Sequence, residues 1–184
     1  MSVQVAVRTA STTEDVDDAL RRALIDCWVA VTRIGGAAGF PFPDTGREVI
    51  ARAFHALVAD LALVGSRLIY AEVMGEPVGW VYVQRNAAPV VSHWGLVKHL
   101  QSDPHWRRRG IGTALMRSAR DAGREMGLEH LQLAVRDGEG LEAFYRSLGW
   151  ETVGRWPRAL RLSTTDTRDE VLMRIDLPEA TPAH

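Results

Sequence analysis

Arg107-x-x-Gly110-x-Gly112, within the stretch Pro104-His-Trp-Arg-Arg-Arg-Gly-Ile-Gly-Thr-Ala-Leu115, puts two glycines and a run of backbone amides at the start of an amphipathic segment. Glycines there can adopt φ > 0 and let a ligand come close to the main chain. A helix beginning at that point adds unpaired N–H groups and a partial positive charge. The chemistry this suits is holding a phosphate group. It is not a nucleotide P-loop, since Gly-Lys-Ser/Thr is absent, and the third glycine of a dinucleotide fingerprint is missing. Taken alone, the pattern equally fits a strand-to-helix turn with glycines for tight packing.

The other reactive side chains form no competing constellation. His93, His99 and His105 lie six residues apart with no cysteine or carboxylate to complete a ligand set, so no metal is expected. There is no Gly-x-Ser-x-Gly nucleophile elbow. Arg107, Arg108 and Arg109 beside Trp106 are three charges on a chain of net charge −1, too local to imply nucleic acid. Cys27 is the only cysteine; it falls in a helical apolar pattern, reads as a buried residue, and fits a reducing cytoplasm. Lys98 is the only lysine, so lysine nucleophiles are out of consideration. No signal-peptide pattern and no apolar run near the ~20 residues of a membrane span occurs, and a cytoplasmic protein is expected.

These residues need elements to position them. The 184 residues, 46% hydrophobic and 24% charged, suit one domain over 1–177, with 178–184 expected to be disordered. Val3, Val5 and Val7 alternate with polar or small residues as in a half-buried strand. Ser11-x-x-Glu14 reads as a capping box opening a helix with Val16, Leu20, Leu24, Cys27 and Val31 on one face, ending at Gly35-Gly36. After a glycine- and proline-rich loop over 35–46, Ile50, Phe54, Leu57, Leu61 and Val64 mark a second helix. Strands are expected at 67–74 and 77–85, joined at Gly75-Glu76, and at 92–102. A helix over 110–127 buries Ile111, Leu115, Ala119, Ala122 and Met126 and stops at Gly127. A strand at 129–136, a short helix at 139–148 and strands at 150–155 and 169–176 follow, the last two flanking a polar loop that starts at Trp156-Pro157. The order β-α-α-β-β-β-α-β-α-β-β predicts an α+β domain built on one mixed, mostly antiparallel sheet flanked by helices.

In that context the glycine loop resembles the one in GNAT-type N-acetyltransferases. The resemblance is carried by Arg-x-x-Gly-x-Gly after a strand running from Leu100 toward Pro104, and by the Phe144-Tyr-x-x-Leu-Gly-Trp150 segment downstream. It extends over almost the whole chain through the order of elements, with residues 96–154 its specific part. Ile34-Gly-Gly-Ala-Ala-Gly-Phe40 and Glu142-Ala-Phe-Tyr145 add a looser similarity to tabtoxin-resistance-type acetyltransferases.

The resemblance implies acetyl-CoA as co-substrate and an amine-bearing small molecule as acceptor, and it allows a homodimer. Backbone amides of Arg108, Arg109, Gly110, Ile111, Gly112 and Thr113 would hold the pyrophosphate beside Arg107. The strand end Leu100, Gln101 and Ser102 would pair with pantetheine, and Tyr145 would face the sulfur as general acid. Acetyl transfer needs a neutral amine; an alkylammonium of pKa near ~10 is neutral in about one part in a thousand at pH 7, a deficit of roughly 4 kcal/mol. A positioned base, worth ~10²–10⁴-fold, recovers much of that, and site amides would stabilise the oxyanion. Where many family members have a glutamate, this chain has Leu96, which leaves His93, His99 and Glu72 as alternatives for the base. Phe40, Phe42 and Trp156 are expected to wall the acceptor pocket. The missing glutamate also leaves open a non-catalytic acyl-CoA-binding sensor or interaction module on the same fold.

Overall fold

The computed structural model describes residues 4–36, 39–40, 45–138 and 140–178. Among these residues seven strands form one sheet in the order β1-β2-β3-β4-β5-β7-β6. They are β1 (Val5–Ala10), β2 (Arg67–Val73), β3 (Glu76–Arg85), β4 (Trp94–Ser102), β5 (His130–Arg136), β6 (Glu151–Arg161) and β7 (Thr167–Asp176). Four α-helices accompany them among the described residues: α1 (Asp18–Arg33), α2 (Arg47–Val64), α3 (Ile111–Glu125) and α4 (Leu141–Ser147). All strand pairs are antiparallel except β4–β5, so the α+β class and the mixed, mostly antiparallel sheet are as the sequence predicts.

The amphipathic stripes explain the layering. Ile111, Leu115, Ala119 and Ala122 of α3 are buried in one core with Ile69, Val81, Leu131, Leu133 and Met173 of the sheet. On the opposite face α1 and α2 bury Leu24, Trp28, Ile50, Phe54 and Leu61 against Leu68, Trp80 and Tyr82. Trp28, Phe54 and Trp80 stack edge-on at 5.1–5.4 Å between centroids and fix how α1 and α2 sit on β3.

Two boundaries differ from the sequence reading. The helix expected to open at Ser11 begins instead at Asp18, with the Asp17 carboxylate accepting from the Leu20 amide at 2.8 Å. Asp15 accepts from the amides of Ser11 and Thr12, which ties 11–16 into a turn and takes up the donors that a Ser11 cap would have begun from. The polar loop expected at Trp156-Pro157 is strand: β6 continues through both residues to Arg161. Its register against β7 shifts between Trp156 and Leu160. Edge strands and bulges tolerate proline because its missing N–H faces no partner there. Residues 179–184, expected to be a disordered tail, lie outside the described residues.

Gly79 on β3 governs how closely β4 and α3 approach. A Cβ placed on it would stand 2.7 Å from the Gln101 carbonyl and 3.0 Å from Ile111 Cγ2. Neither a strand backbone nor a fully packed isoleucine yields cheaply. Gly79→Ala is therefore expected to lower stability by about 1–3 kcal/mol, read as a fall in the urea midpoint at unchanged m-value.

Candidate functional site

The site originates in the one parallel pair of the sheet. β4 and β5 pair only through Trp94–His130, Gly95–Leu131 and Leu96–Gln132. Beyond Leu96, β4 runs on to Ser102 against β3, while β5 runs on to Arg136 against β7. The two half-sheets thus part, and their facing edges expose backbone donors and acceptors to a cavity of about 1100 Å³.

A bulge bends β4 at the place where the strands separate. Tyr82 stands opposite Lys98 and Trp80 opposite Gln101, so one residue of β3 is matched by two of β4, His99 and Leu100. His99 carries the strain with φ +56°, an uncommon conformation for a residue with a Cβ. Its ring is held 4.7 Å from Trp28 and 5.9 Å from Trp80 and also lines the cavity. Burial, with Lys98 nearby, pushes the His99 imidazole down to about 4, so it is neutral at physiological pH.

The glycine loop closes one end. Asp103 accepts from the His105 amide and caps a single 3₁₀ turn, Pro104–Trp106. Arg108 at φ +61° and Gly110 at φ +83° then turn the chain so that α3 starts with its free amides toward the cavity. Gly110 serves as N-cap with no side-chain hydrogen bond, so no cap competes for those amides. Phe144 of α4 packs beside Gly112, where a Cβ would lie 3.4 Å from its Cζ, at ordinary contact distance. That contact carries Tyr145 to the cavity wall, where it is buried and held 6.1 Å from the Trp150 ring. Burial raises the Tyr145 phenol well above its ordinary value and keeps it protonated.

Leu100, Ser102, Arg107, Arg108, Gly110, Ile111, Gly112 and Thr113 all line this cavity, as do Tyr145 and Phe40. Gln101 and Arg109 do not. The Gln101 side chain is fully buried, and neither amide atom has a hydrogen-bond partner. Arg109 lies over the Trp106 ring at 4.9 Å. Of the three alternatives for a base, the structure brings only His99 to the cavity. His93 packs against His130 at 5.6 Å, where β4 and β5 are still paired, and Glu72 is ion-paired with Arg8 at 2.7 Å. Leu96 lines the cavity in place of a carboxylate. Trp156 is 61% exposed on β6 and does not line the cavity, although its cross-strand neighbour Glu170 does. Phe42 lies outside the described residues. Cys27 is buried in the α1 core, and its thiol is pushed up to about 12 by burial, which makes it inert.

Sequence reasoning missed four charged contributors to the walls: Lys98, Arg136, Arg161 and Glu170. Arg136 is buried at the tip of β5 and donates from Nη2 to the Gly35 carbonyl at 2.7 Å, tying the α1–α2 turn to the cavity's far side. The only advance signal was that Lys98 is the sole lysine. Among the described residues no group of three His, Cys, Asp or Glu side chains could hold a metal, and no helix is long and apolar enough to cross a membrane.

A model of the acetyltransferase (GNAT) family matches residues 37–150. Among solved structures, a protein from Salmonella typhimurium assigned as an acetyltransferase and solved with acetyl-CoA aligns with a TM-score of 0.74. It is 15% identical, with 98% of each chain covered. A ribosomal-protein-alanine N-acetyltransferase from Brucella melitensis aligns with a TM-score of 0.74 at 19% identity, covering 94% of this chain and 99% of that one. A GCN5-related N-acetyltransferase from Kribbella flavida gives 0.72 at 22%, covering 94% and 98%. A comparison with curated protein sequences finds no match.

The buried imidazole has a consequence for stability. In the unfolded chain His99 titrates near ~6.5, against about 4 when folded. Between those values the unfolded state binds the proton first, so stability is fully present above pH ~6.5 and falls as pH drops toward 4. Chemical denaturation between pH 7 and 4 should show a shallower loss in His99→Gln than in the parent protein.

Proposed function

The chain belongs to the GNAT acetyltransferase family, whose co-substrate is acetyl-CoA, and we propose that it passes the acetyl group directly to an amine of a small molecule in a ternary complex. The observation that carries this reading is the parting of β4 and β5. One cavity meets the α3 N-terminus, a strand edge, a protonated phenol and a neutral imidazole, with volume for the donor's reactive end and an acceptor together.

Each residue then has a task. The amides from Arg108 to Thr113, with the Arg107 guanidinium beside them, hold the pyrophosphate. The β4 edge at Leu100 and Ser102 hydrogen-bonds the amides of the pantetheine arm as a further strand would. Gln101 contributes backbone only, since its side chain points away from the cavity. His99 accepts the proton that the attacking nitrogen sheds as the new N–C bond forms and the C–S bond breaks. A weakly basic imidazole suits this, because bond formation makes that N–H far more acidic than a free ammonium. Tyr145 donates its phenolic proton to the departing sulfur and regains one from solvent. Phe40, 5.1 Å from Trp28, forms an apolar side of the acceptor space.

CoA release across a panel of amines tests the reading. Turnover is expected with at least one class of small amine. Tyr145→Phe should lower kcat by ~10²-fold or more while the acetyl-CoA Kd stays within about two-fold. Acetyl-CoA binding without release of CoA from any amine would overturn the enzyme in favour of a binding module.

A further inference from the structure

We propose that the acceptor is an amino carboxylate, an amino acid or a small molecule built on one, with Lys98 and Arg161 holding its carboxylate and Glu170 drawing in its ammonium. This rests on the acetyl-transfer reading and specifies the substrate class of the same site.

Among the described residues five charged side chains of the cavity are in no ion pair: Arg107 and Arg108 of the glycine loop, and Lys98, Arg161 and Glu170 away from it. Some arginines elsewhere pair off, as in Arg47–Asp26, Arg155–Asp137 and Arg174–Asp176. The cavity's other walls include Leu96, Phe40, Ala134, Leu160 and Leu162. Lys98 and Glu170 are half-buried against these walls, where a ligand of opposite charge gains more than it would in water, while Arg161 is exposed at the rim.

Position separates these charges from the donor's phosphates. Lys98 lies two residues past the last β4–β5 pair, and four residues of strand, ~13 Å at the usual rise, separate it from Ser102, after which the chain turns toward the phosphate loop. It adjoins His99, at the end of the cavity where the amine must lose its proton. Arg161 comes from β6, and Glu170 from β7, where it stands opposite Arg136 on one side and Trp156 on the other. Away from the glycine loop the cavity therefore presents, among the described residues, two cations and one carboxylate that are in no ion pair. A molecule with one ammonium and one carboxylate satisfies that set. A diamine or polyamine would bring a second positive charge against Lys98, which acts as a repulsive element. The guanidinium fork of Arg161 suits a planar carboxylate.

The test compares kcat/KM for free amino acids, including β- and γ-amino acids, with the matching amino-acid amides and decarboxylated amines. At least one carboxylate should be preferred ten-fold or more over its amide. That preference should collapse in Lys98→Met and Arg161→Gln through a rise in acceptor KM, with the acetyl-CoA KM held within two-fold. Lys98→Arg should retain it, which separates loss of charge from loss of folding. Turnover of amides, decarboxylated amines or polyamines as fast as the acids overturns the proposal and leaves acetyl transfer standing. So does a Lys98→Met protein that slows acids and amides alike. Binding of acetyl-CoA with no turnover of any amine overturns the transfer reading and this proposal with it.

Discussion

Three register pairs, Trp94–His130, Gly95–Leu131 and Leu96–Gln132, join the halves of the sheet, and the rest of the molecule is arranged around their ending there. A parallel pair continued to Ser102 and Arg136 would satisfy more backbone groups and leave no cavity. The extra residue on β4 prevents that continuation. With His99 in a left-handed conformation, the strand bends, and its edge beyond Leu96 faces a ligand space instead of β5.

The surrounding packing holds this arrangement against its cost. A non-glycine residue at positive φ, the Gln101 amide and the Trp80 indole N–H, both buried without partners, are each unfavourable by about 1–3 kcal/mol. Opposing them is the aromatic cluster of Trp28, Phe54, Trp80 and His99, which immobilises β3 and β4 on α1 and α2. On the other face, α3 is seated by Gly79, and Phe144 of α4 packs beside Gly112 at the start of α3. The same contacts that bury the core thus set the distance between the phosphate loop and Tyr145. Stability and site geometry depend on one set of close approaches.

Most elements were legible because their signals are local. Apolar periodicity marked α2, α3 and the inner strands, and the glycine loop could be read as the turn into α3 because its glycines are adjacent in sequence to the helix they open. The misreadings were competitions. Asp15 and Asp17 displaced Ser11 as the organising caps, and Trp156-Pro157 looked like a loop because a bulged edge strand accepts residues a central strand excludes. The base was undecided among His93, His99 and Glu72 because their spacing does not reveal the bulge. A single inserted residue decides which of them reaches the cavity.

The two halves of the site differ in how sequence encodes them. The proposed donor side is one contiguous stretch, from Leu100 to Thr113, joined by Tyr145 on the following helix, α4. The proposed acceptor side is assembled by register: Lys98 from β4, Arg161 from β6 and Glu170 from β7, on one cavity because β7 inserts between β5 and β6. None of these has a neighbour in sequence that hints at a common ligand. A loop that binds a shared co-substrate constrains residues next to one another. Recognition of an acceptor needs only surface positions on strands whose pairing is already set by their buried faces. Those positions can change charge without disturbing the fold, so acceptor choice is where members of such a family can diverge while the donor loop stays recognisable.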